Sequence, residues 1–160
     1  MQALILAAGF GRRMRPLTDE RHKTLLPISG STIIDRILEG LQERHVSPIT
    51  VVTGYRADEL ESHIVQNYPA LDVRFVRNDD FETTNNIHSM AIAFDRLTLD
   101  DDVVLIESDL IYEPRILDRL LNSTHENVAL VDRYRAGMDG TVVTVGESGL
   151  ISQVIPPALQ

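Results

Sequence analysis

The sequence has no cysteine, which excludes disulfide bonds, cysteine-ligated zinc and thiol catalysis. It also lacks any stretch close to the roughly 18 consecutive apolar residues of a membrane-spanning helix, and its start lacks the basic residues of a signal peptide. Its five histidines are far apart, with no metal-ligand spacing, so a zinc site is not expected. Prolines and glycines are scattered and form no linker. We therefore expect a cytoplasmic protein with no membrane partner and a single domain over residues 1–160.

Positive charge is scarce in most of the chain and is concentrated near its start. The net charge is −9, yet residues 1–56 carry an excess of three positive charges and residues 57–160 an excess of twelve negative charges. Five basic residues lie within twelve positions: Arg12, Arg13, Arg15, Arg21 and Lys23. A compact anion such as a phosphate chain fits that segment, whereas the acidic remainder repels a nucleic-acid backbone, so no nucleic-acid partner is expected.

Lysine is almost absent, since Lys23 is the single lysine among fifteen basic residues. An ammonium is a compact point charge and a guanidinium is a planar fork, so a site that needs the first does not simply accept the second. The exception indicates a specific use for the Lys23 charge.

Apolar runs rich in β-branched residues alternate with helical periodicity, which predicts an α/β fold with a mostly parallel sheet and helices on both faces. The predicted strands cover residues 3–7, 49–53, 73–77, 103–106, 128–131, 141–145 and 150–155, and the predicted helices cover residues 33–41, 57–67, 87–97 and a segment that begins at Pro114. We expect the strand at 103–106 to be buried on both faces, because it is wholly apolar. The last two strands predict an antiparallel hairpin, and because no closing helix follows we expect a truncated fold.

The exit of the first strand carries the strongest motif, LAAGFGRRMRPLT at residues 6–18, followed by KTLLPI at residues 23–28. Small residues and glycines at this point let several backbone N–H groups point at one anion, which predicts a phosphate cradle. A dinucleotide fingerprint is disfavoured, because Met14 occupies its third glycine position and residues 53–55 hold no carboxylate. The P-loop pattern is also absent.

This motif resembles the signature of the nucleotidyltransferases that act on sugar phosphates and alcohol phosphates. The segments NNIHSM at residues 85–90 and ESD at residues 107–109 are most similar to phosphocholine and phosphonate cytidylyltransferases. The resemblance implies a Rossmann-like three-layer α/β/α fold. It also implies a reaction in which a phosphate or phosphonate oxygen attacks the α-phosphorus of CTP and pyrophosphate leaves.

The resemblance also assigns roles to residues. Arg13 would hold the departing β- and γ-phosphates, and Lys23 the α-phosphate oxygens. Asp109 would bind Mg²⁺, with Glu107 on the same face two residues earlier. The implied nucleotide-binding residues are Ala7, Ala8, Gly9, Gly11, Gly54, Asn85 and Ser89, and the implied acceptor-binding residue is Asn86.

The chain departs from the family pattern at two points. His22 stands where the family usually has proline, so we expect Lys23 to be less well preorganised. The resemblance also implies a second acidic metal ligand from a C-terminal segment, which we expect to be missing here.

Several alternatives stay open at this stage. Ser89 could cap a helix instead of contacting the base, and Tyr55 could pack on a ribose or on the core. The substrates could instead be a sugar phosphate with UTP, dTTP or GTP, or the chain could be a non-catalytic nucleotide-binding or regulatory module. The expected partners are small molecules, CTP or another nucleoside triphosphate and a phosphocholine-like acceptor, and a homodimer is also open.

Overall fold

The computed structural model describes residues 1–98, 101–138 and 140–156, which fall into two compact units, Met1–Leu117 and Asp118–Gln160. The single domain expected from the sequence stays a prediction. In the described ranges, every helix is too short or too polar to cross a membrane.

The described residues form eight strands, five α-helices and two 3₁₀ turns. The strands are β1 (Gln2–Ala7), β2 (Pro27–Ile28), β3 (Ser31–Thr32), β4 (Ile49–Thr53), β5 (Val73–Arg77), β6 (Val103–Glu107), β7 (Val142–Val145) and β8 (Ile151–Ile155). The helices are α1 (Leu17–Glu20), α2 (Ile33–Glu43), α3 (Ala57–Asn67), α4 (Asn86–Phe94) and α5 (Pro114–Leu121), with 3₁₀ turns at Arg12–Met14 and Lys23–Leu25.

A four-stranded parallel sheet in the order β5-β4-β1-β6 forms the centre of the first unit. Its middle strands β1 and β4 are buried along their whole length, in agreement with the apolar run after Gln2 in β1 and the β-branched sequence of β4. The α/β prediction is therefore confirmed, and β4, α3 and β5 begin and end at the predicted residues.

The helices lie on the two faces of this sheet because the crossovers change direction. From β1 through β4 to β5 the chain moves towards one edge of the sheet. It then returns past β4 and β1 and forms β6 at the other edge. Since crossovers between parallel strands are right-handed, α4 lies on the opposite face from α2 and α3. Leu4 and Leu6 of β1 pack there with Ala93 of α4. The direction reverses between β1 and β6, and in such sheets the carboxyl ends of those two strands border the ligand crevice.

Helix α2 begins with a capping box. Thr32 Oγ1 accepts from Asp35 N, and Asp35 Oδ2 accepts from Thr32 N, each at 3.2 Å. The five apolar residues of its buried face recur at helical spacing: Ile33, Ile34, Ile37, Leu38 and Leu41. Thr32 is therefore the N-terminal cap of α2.

Three sequence expectations about elements were wrong. Strand β6 is not buried on both faces: Val104 and Ile106 are buried on one face, whereas Val103 and Leu105 on the other are 37% and 44% exposed, because the described residues leave that face uncovered. Helix α4 begins one residue early and ends at Phe94, after which two N–H groups bond to Ala93 O and close the helix. Residues 128–131 are exposed and form no strand with the described residues, since an apolar run needs a pairing partner as well as β propensity.

The second unit contains the predicted hairpin, in which β7 pairs antiparallel with β8. Gly149, at φ 79°, turns the chain so that its N–H bonds to Gly146 O at 3.0 Å. The antiparallel C-terminal part of the predicted fold is therefore confirmed.

Candidate active site

Gly11 connects β1 to the first 3₁₀ turn, and its position needs a glycine for two reasons. Its φ of 64° lies in the left-handed region, and a Cβ would lie 3.0 Å from Lys23 Cβ and 3.1 Å from Thr18 Cγ2. The Thr18 hydroxyl also donates to Gly11 O at 3.0 Å. The glycine thus lets the loop lie directly on the Lys23 side chain.

The other small residues of the loop differ in their access to a ligand. Gly9 is exposed, and nothing lies within 4 Å of the place where a Cβ would be. Ala8 is 6% exposed, and Ala7 is fully buried with its carbonyl bonded to His22 Nε2. The open side of the cradle is therefore at Gly9, while contacts of a nucleotide with Ala7 and Ala8 stay predictions.

Arg13 lies on the exposed 3₁₀ turn after Gly11. Among the residues described in the structure it forms no ion pair, whereas Arg15 pairs with Asp19 at 3.0 Å and Arg12 lies 4.9 Å from the centre of the Phe10 ring. Arg13 therefore presents a guanidinium that is available for an anionic ligand, and Arg12, which also has no ion pair with a described residue, lies beside it.

Lys23 opens the second 3₁₀ turn, and its side chain is only 11% exposed. Its ammonium pairs with Asp109 Oδ2 at 3.1 Å, although the two residues are 86 positions apart. Asp109 follows β6 and is 43% exposed, so the pair lies at the reversal point between β1 and β6. Six residues line an open cavity of about 410 Å³ at this place: Gly11, Arg12, Arg13, Met14, Lys23 and Asp109.

Glu107 and Asn86 form a second polar pair at the end of β6. Asn86 Nδ2 donates to Oε1 and Oε2 of Glu107 at 2.9 and 3.0 Å. Burial, together with the negative charge of Asp109, raises the pKa of Glu107, against the smaller effects of the Asn86 bond and of Lys23. Asn86 is thereby brought next to the ESD segment, and its contact with an acceptor stays a prediction.

The cap of α4 is Asn85, and not Ser89 as one sequence alternative had it. Asn85 Oδ1 accepts from Ile87 N at 3.0 Å and His88 N at 3.4 Å. Ser89 lies inside the helix, is 2% exposed, and its hydroxyl accepts from Asn78 Nδ2 at 3.0 Å. Contacts of Asn85 and Ser89 with a nucleotide stay predictions, and the Ser89 hydroxyl is turned inward.

Asn78 is an organising residue that sequence reasoning missed. It is 2% exposed, its N–H donates to Thr53 O at 2.8 Å, and its amide also donates to Thr84 Oγ1 at 3.0 Å. Its position as the first polar residue after β5 was the available signal. It fixes the loop that carries the chain from the sheet edge to α4.

Gly54 allows two loops at the sheet edge to touch. A Cβ there would lie 2.8 Å from Ala8 O and 2.9 Å from Phe81 Cβ, and the neighbouring Tyr55 N donates to Ala8 O at 3.0 Å. This packing explains the glycine, and direct contact of Gly54 with a nucleotide stays a prediction.

An aromatic cluster flanks the glycine loop and was also missed. The centre of the Phe10 ring lies 4.7 Å from that of the Tyr55 ring and 5.0 Å from that of the Phe81 ring. The Tyr55 hydroxyl donates to Thr18 O at 3.0 Å. The three rings brace the loop against the segments that follow β4 and β5.

Comparison with known proteins agrees with this geometry. The family described as "MobA-like NTP transferase domain" matches residues 3–154. The CMP-5'-(3-aminopropyl)phosphonate synthase of Streptomyces rubellomurinus is 30% identical over 155 residues, which are 97% of this chain and 24% of that protein. The choline-phosphate cytidylyltransferase of Haemophilus influenzae is 33% identical over 118 residues, 71% of this chain and 49% of that protein.

The chain thus spans about half or less of the length of these two relatives. The structure of the CTP:phosphocholine cytidylyltransferase of Streptococcus pneumoniae superposes with a TM-score of 0.70 and 23% identity, over 97% of this chain and 64% of that one, and so shares the fold. With this fold, the sequence motif and the matched region together, the chain belongs to the MobA-like NTP transferase domain family.

Proposed function

We propose that this chain transfers CMP from CTP to phosphocholine or a similar small phosphoester or phosphonate, with release of pyrophosphate. The observation that carries the proposal is the cavity that the glycine loop shares with Arg13, which has no ion pair among the described residues, and with the buried Lys23 paired to the half-exposed Asp109. A triphosphate is the ligand that needs this combination of backbone donors and cations.

The roles of the cations follow from their surroundings. In this reaction an acceptor oxygen forms a bond to the α-phosphorus, the bond to the β-phosphate oxygen breaks, and pyrophosphate takes up the released charge. Lys23 is held by its ion pair and its contact with Gly11, which suits a fixed charge that stabilises the α-phosphoryl oxygens. Arg13 is exposed and has no ion pair with a described residue, so its guanidinium is free to bind the leaving phosphates with two N–H groups.

Mg²⁺ is part of the proposal, and the donor set fits it. The described residues contain no group of three or more side chains that could hold a metal alone. Mg²⁺ in nucleotide enzymes is usually held by one or two carboxylates together with substrate phosphates, and Asp109 with Glu107 provides such carboxylates. When bound, the ion would neutralise phosphate charge, while Asp109 would exchange part of its contact with Lys23 for the metal.

An amine-bearing acceptor is supported by two observations. The compared relatives are described as acting with an aminopropylphosphonate and with choline phosphate, both of which carry a cationic nitrogen. Residues 57–160 carry an excess of twelve negative charges, which suits such a group. We propose phosphocholine and aminoalkylphosphonates as the acceptor class on this basis.

The test is a matrix of substrates with the full chain and Mg²⁺, in which released pyrophosphate is measured. CTP, UTP, dTTP and GTP are each combined with phosphocholine, 2-aminoethylphosphonate or glucose 1-phosphate. We expect release with CTP and an amine-bearing acceptor, and near-background release in the Arg13→Ala variant. Arg74→Ala removes one exposed guanidinium elsewhere and serves as the matched control.

Two other results would contradict the proposal. Release only with glucose 1-phosphate would establish a sugar-phosphate nucleotidyltransferase. Calorimetric binding of CTP without release from any pair would establish a nucleotide-binding module that does not catalyse transfer.

A further inference from the structure

His22 is a fully buried histidine directly before Lys23, at the position where the resemblance implies a proline. Its Nε2 lies 2.9 Å from Ala7 O at the end of β1. Its Nδ1 lies 3.2 Å from Thr24 N and 2.8 Å from Thr24 Oγ1. The ring therefore spans the gap between the central strand and the turn that carries Lys23.

The contacts fix the tautomer of the ring. A backbone N–H can only donate, so Nδ1 accepts from Thr24 N, and the remaining proton is on Nε2, which donates to Ala7 O. This neutral form satisfies both ring nitrogens. The backbone N–H of His22 donates to Glu59 Oε2 at 3.1 Å. This bond connects His22 to α3 as well.

The backbone of His22 shows what the side chain adds. Its φ of −60° and ψ of 138° are those of a proline, and Arg21 before it is extended, as a residue preceding proline must be. Proline would therefore fit the path of the chain, but it would provide neither a ring bond to Ala7 nor a cap for Thr24.

We propose that His22 is a positioning residue, whose imidazole ties the Lys23 turn to the end of β1 and thereby sets the place of the Lys23 ammonium in the cavity. The expected effect of His22 on kcat rests on the proposed function. Its effect on the position of the Lys23 ammonium does not. The sequence led us to expect that Lys23 is less well preorganised with His22 than with proline before it. The proposal reverses that expectation, because two hydrogen bonds of the ring replace the rigidity of a proline.

The charged groups that act on His22 come from two elements. Lys23 is on its own turn, and Arg56 and Glu59 lie at the start of α3. Burial lowers the pKa of His22 to about 4, against the raising effect of the Ala7 bond and of Glu59, and with the smaller lowering effects of Lys23 and Arg56. The ring is therefore neutral in the pH range in which enzymes of this class are assayed, and both of its hydrogen bonds are kept there.

A pair of variants separates the two ring bonds. His22→Asn places an amide oxygen where Nδ1 accepts from Thr24 N, but it is too short to reach Ala7 O. His22→Gln places an amide nitrogen near Nε2, where it can donate to Ala7 O. His22→Ala removes both bonds, and His63→Asn removes a histidine that pairs with Asp35 and serves as the control.

The first measurement is the rate at which a mild acylating reagent modifies Lys23, followed by mass spectrometry. Lys23 is the single lysine, and the amine of Met1 is the internal reference. We expect about fivefold faster modification in His22→Asn, the factor for loss of the one net hydrogen bond to Ala7 O, and an increase at least as large in His22→Ala. A near wild-type rate is expected in His22→Gln, which keeps that bond, and in the control. Circular dichroism at the same temperature establishes that each variant is folded.

The second measurement is the pyrophosphate assay with the same variants. We expect kcat to fall about tenfold in His22→Asn with little change in the KM for CTP, and to recover in His22→Gln, because a displaced Lys23 charge affects the transition state most. If the wild-type chain releases no pyrophosphate, the proposed function fails, while the acylation rates still decide the role of His22.

Two results would overturn the proposal. In one, His22→Asn protects Lys23 as well as the wild type does, which would reduce His22 to a cap of the turn. In the other, His22→Gln behaves like His22→Ala while both are folded, which would show that the bond to Ala7 does not position the turn.

Discussion

Acid destabilisation through His22 is the prediction that the structure defines most closely. The pKa of this buried ring is lowered from 6.5 to about 4, so the unfolded chain binds the proton more tightly than the folded chain. The stabilising contribution is complete above pH 6.5 and is lost as the pH falls from 6.5 to 4. At about 1.36 kcal/mol for each unit, the full loss is about 3 kcal/mol.

The assay compares the wild type with His22→Gln, which does not titrate. Urea unfolding at pH 7.5 and pH 4.5 gives the free energy of unfolding of both chains, and the carboxylates common to both cancel in the difference. We expect the wild type to lose about 2–3 kcal/mol more than the variant between these two pH values. Equal losses in the two chains would refute the neutral state of the buried ring.

Three further predictions concern the cavity. Lys23→Met keeps the contact with Gly11 but removes the charge, and we expect kcat for pyrophosphate release to fall by about 10²–10³, with retained activity contradicting its role. Asp109→Asn should raise the Mg²⁺ concentration for half-maximal activity about tenfold or more, and an unchanged titration would make Asp109 an ordinary loop residue. Gly11→Ala should lower the free energy of unfolding by about 1–2 kcal/mol, while Gly9→Ala, which faces open space, should leave thermal stability nearly unchanged; equal melting temperatures would contradict this reading of the loop.

The parts of the fold that depend on local signals could be predicted from the sequence. Residues 49–77 follow their own periodicity, and both the strands and α3 have the predicted bounds. The hairpin of β7 and β8 follows from the glycine-rich turn between two β-branched runs. Such signals lie within a few residues of the element that they define.

The errors came from contacts between distant residues. Burial of a strand depends on its neighbours, so the apolar composition of β6 could not show that Val103 and Leu105 are half exposed. Ser89 was one candidate for the cap of α4, but Asn85 caps it, and the partner of Ser89 is Asn78, eleven residues away. Sequence spacing does not reveal which of several polar residues in a loop will cap a helix.

The candidate site was only partly predictable for the same reason. The motif placed Arg13, Lys23 and Asp109 in one site through resemblance, and the structure brings all three to one cavity. The ion pair between Lys23 and Asp109 depends on the return of the chain to the other side of β1, which no local pattern encodes. The bonding of His22 could not be foreseen either, because a histidine beside a lysine is usually exposed.

Nucleotide binding at the glycine loop is the central claim, and an amide NMR titration of the full chain with CTP tests it most directly. We predict that the largest shifts fall on residues 8–13 and on Lys23, and that Arg13→Ala weakens binding. Unchanged signals at these positions in saturating CTP, with shifts elsewhere or none at all, would contradict the account.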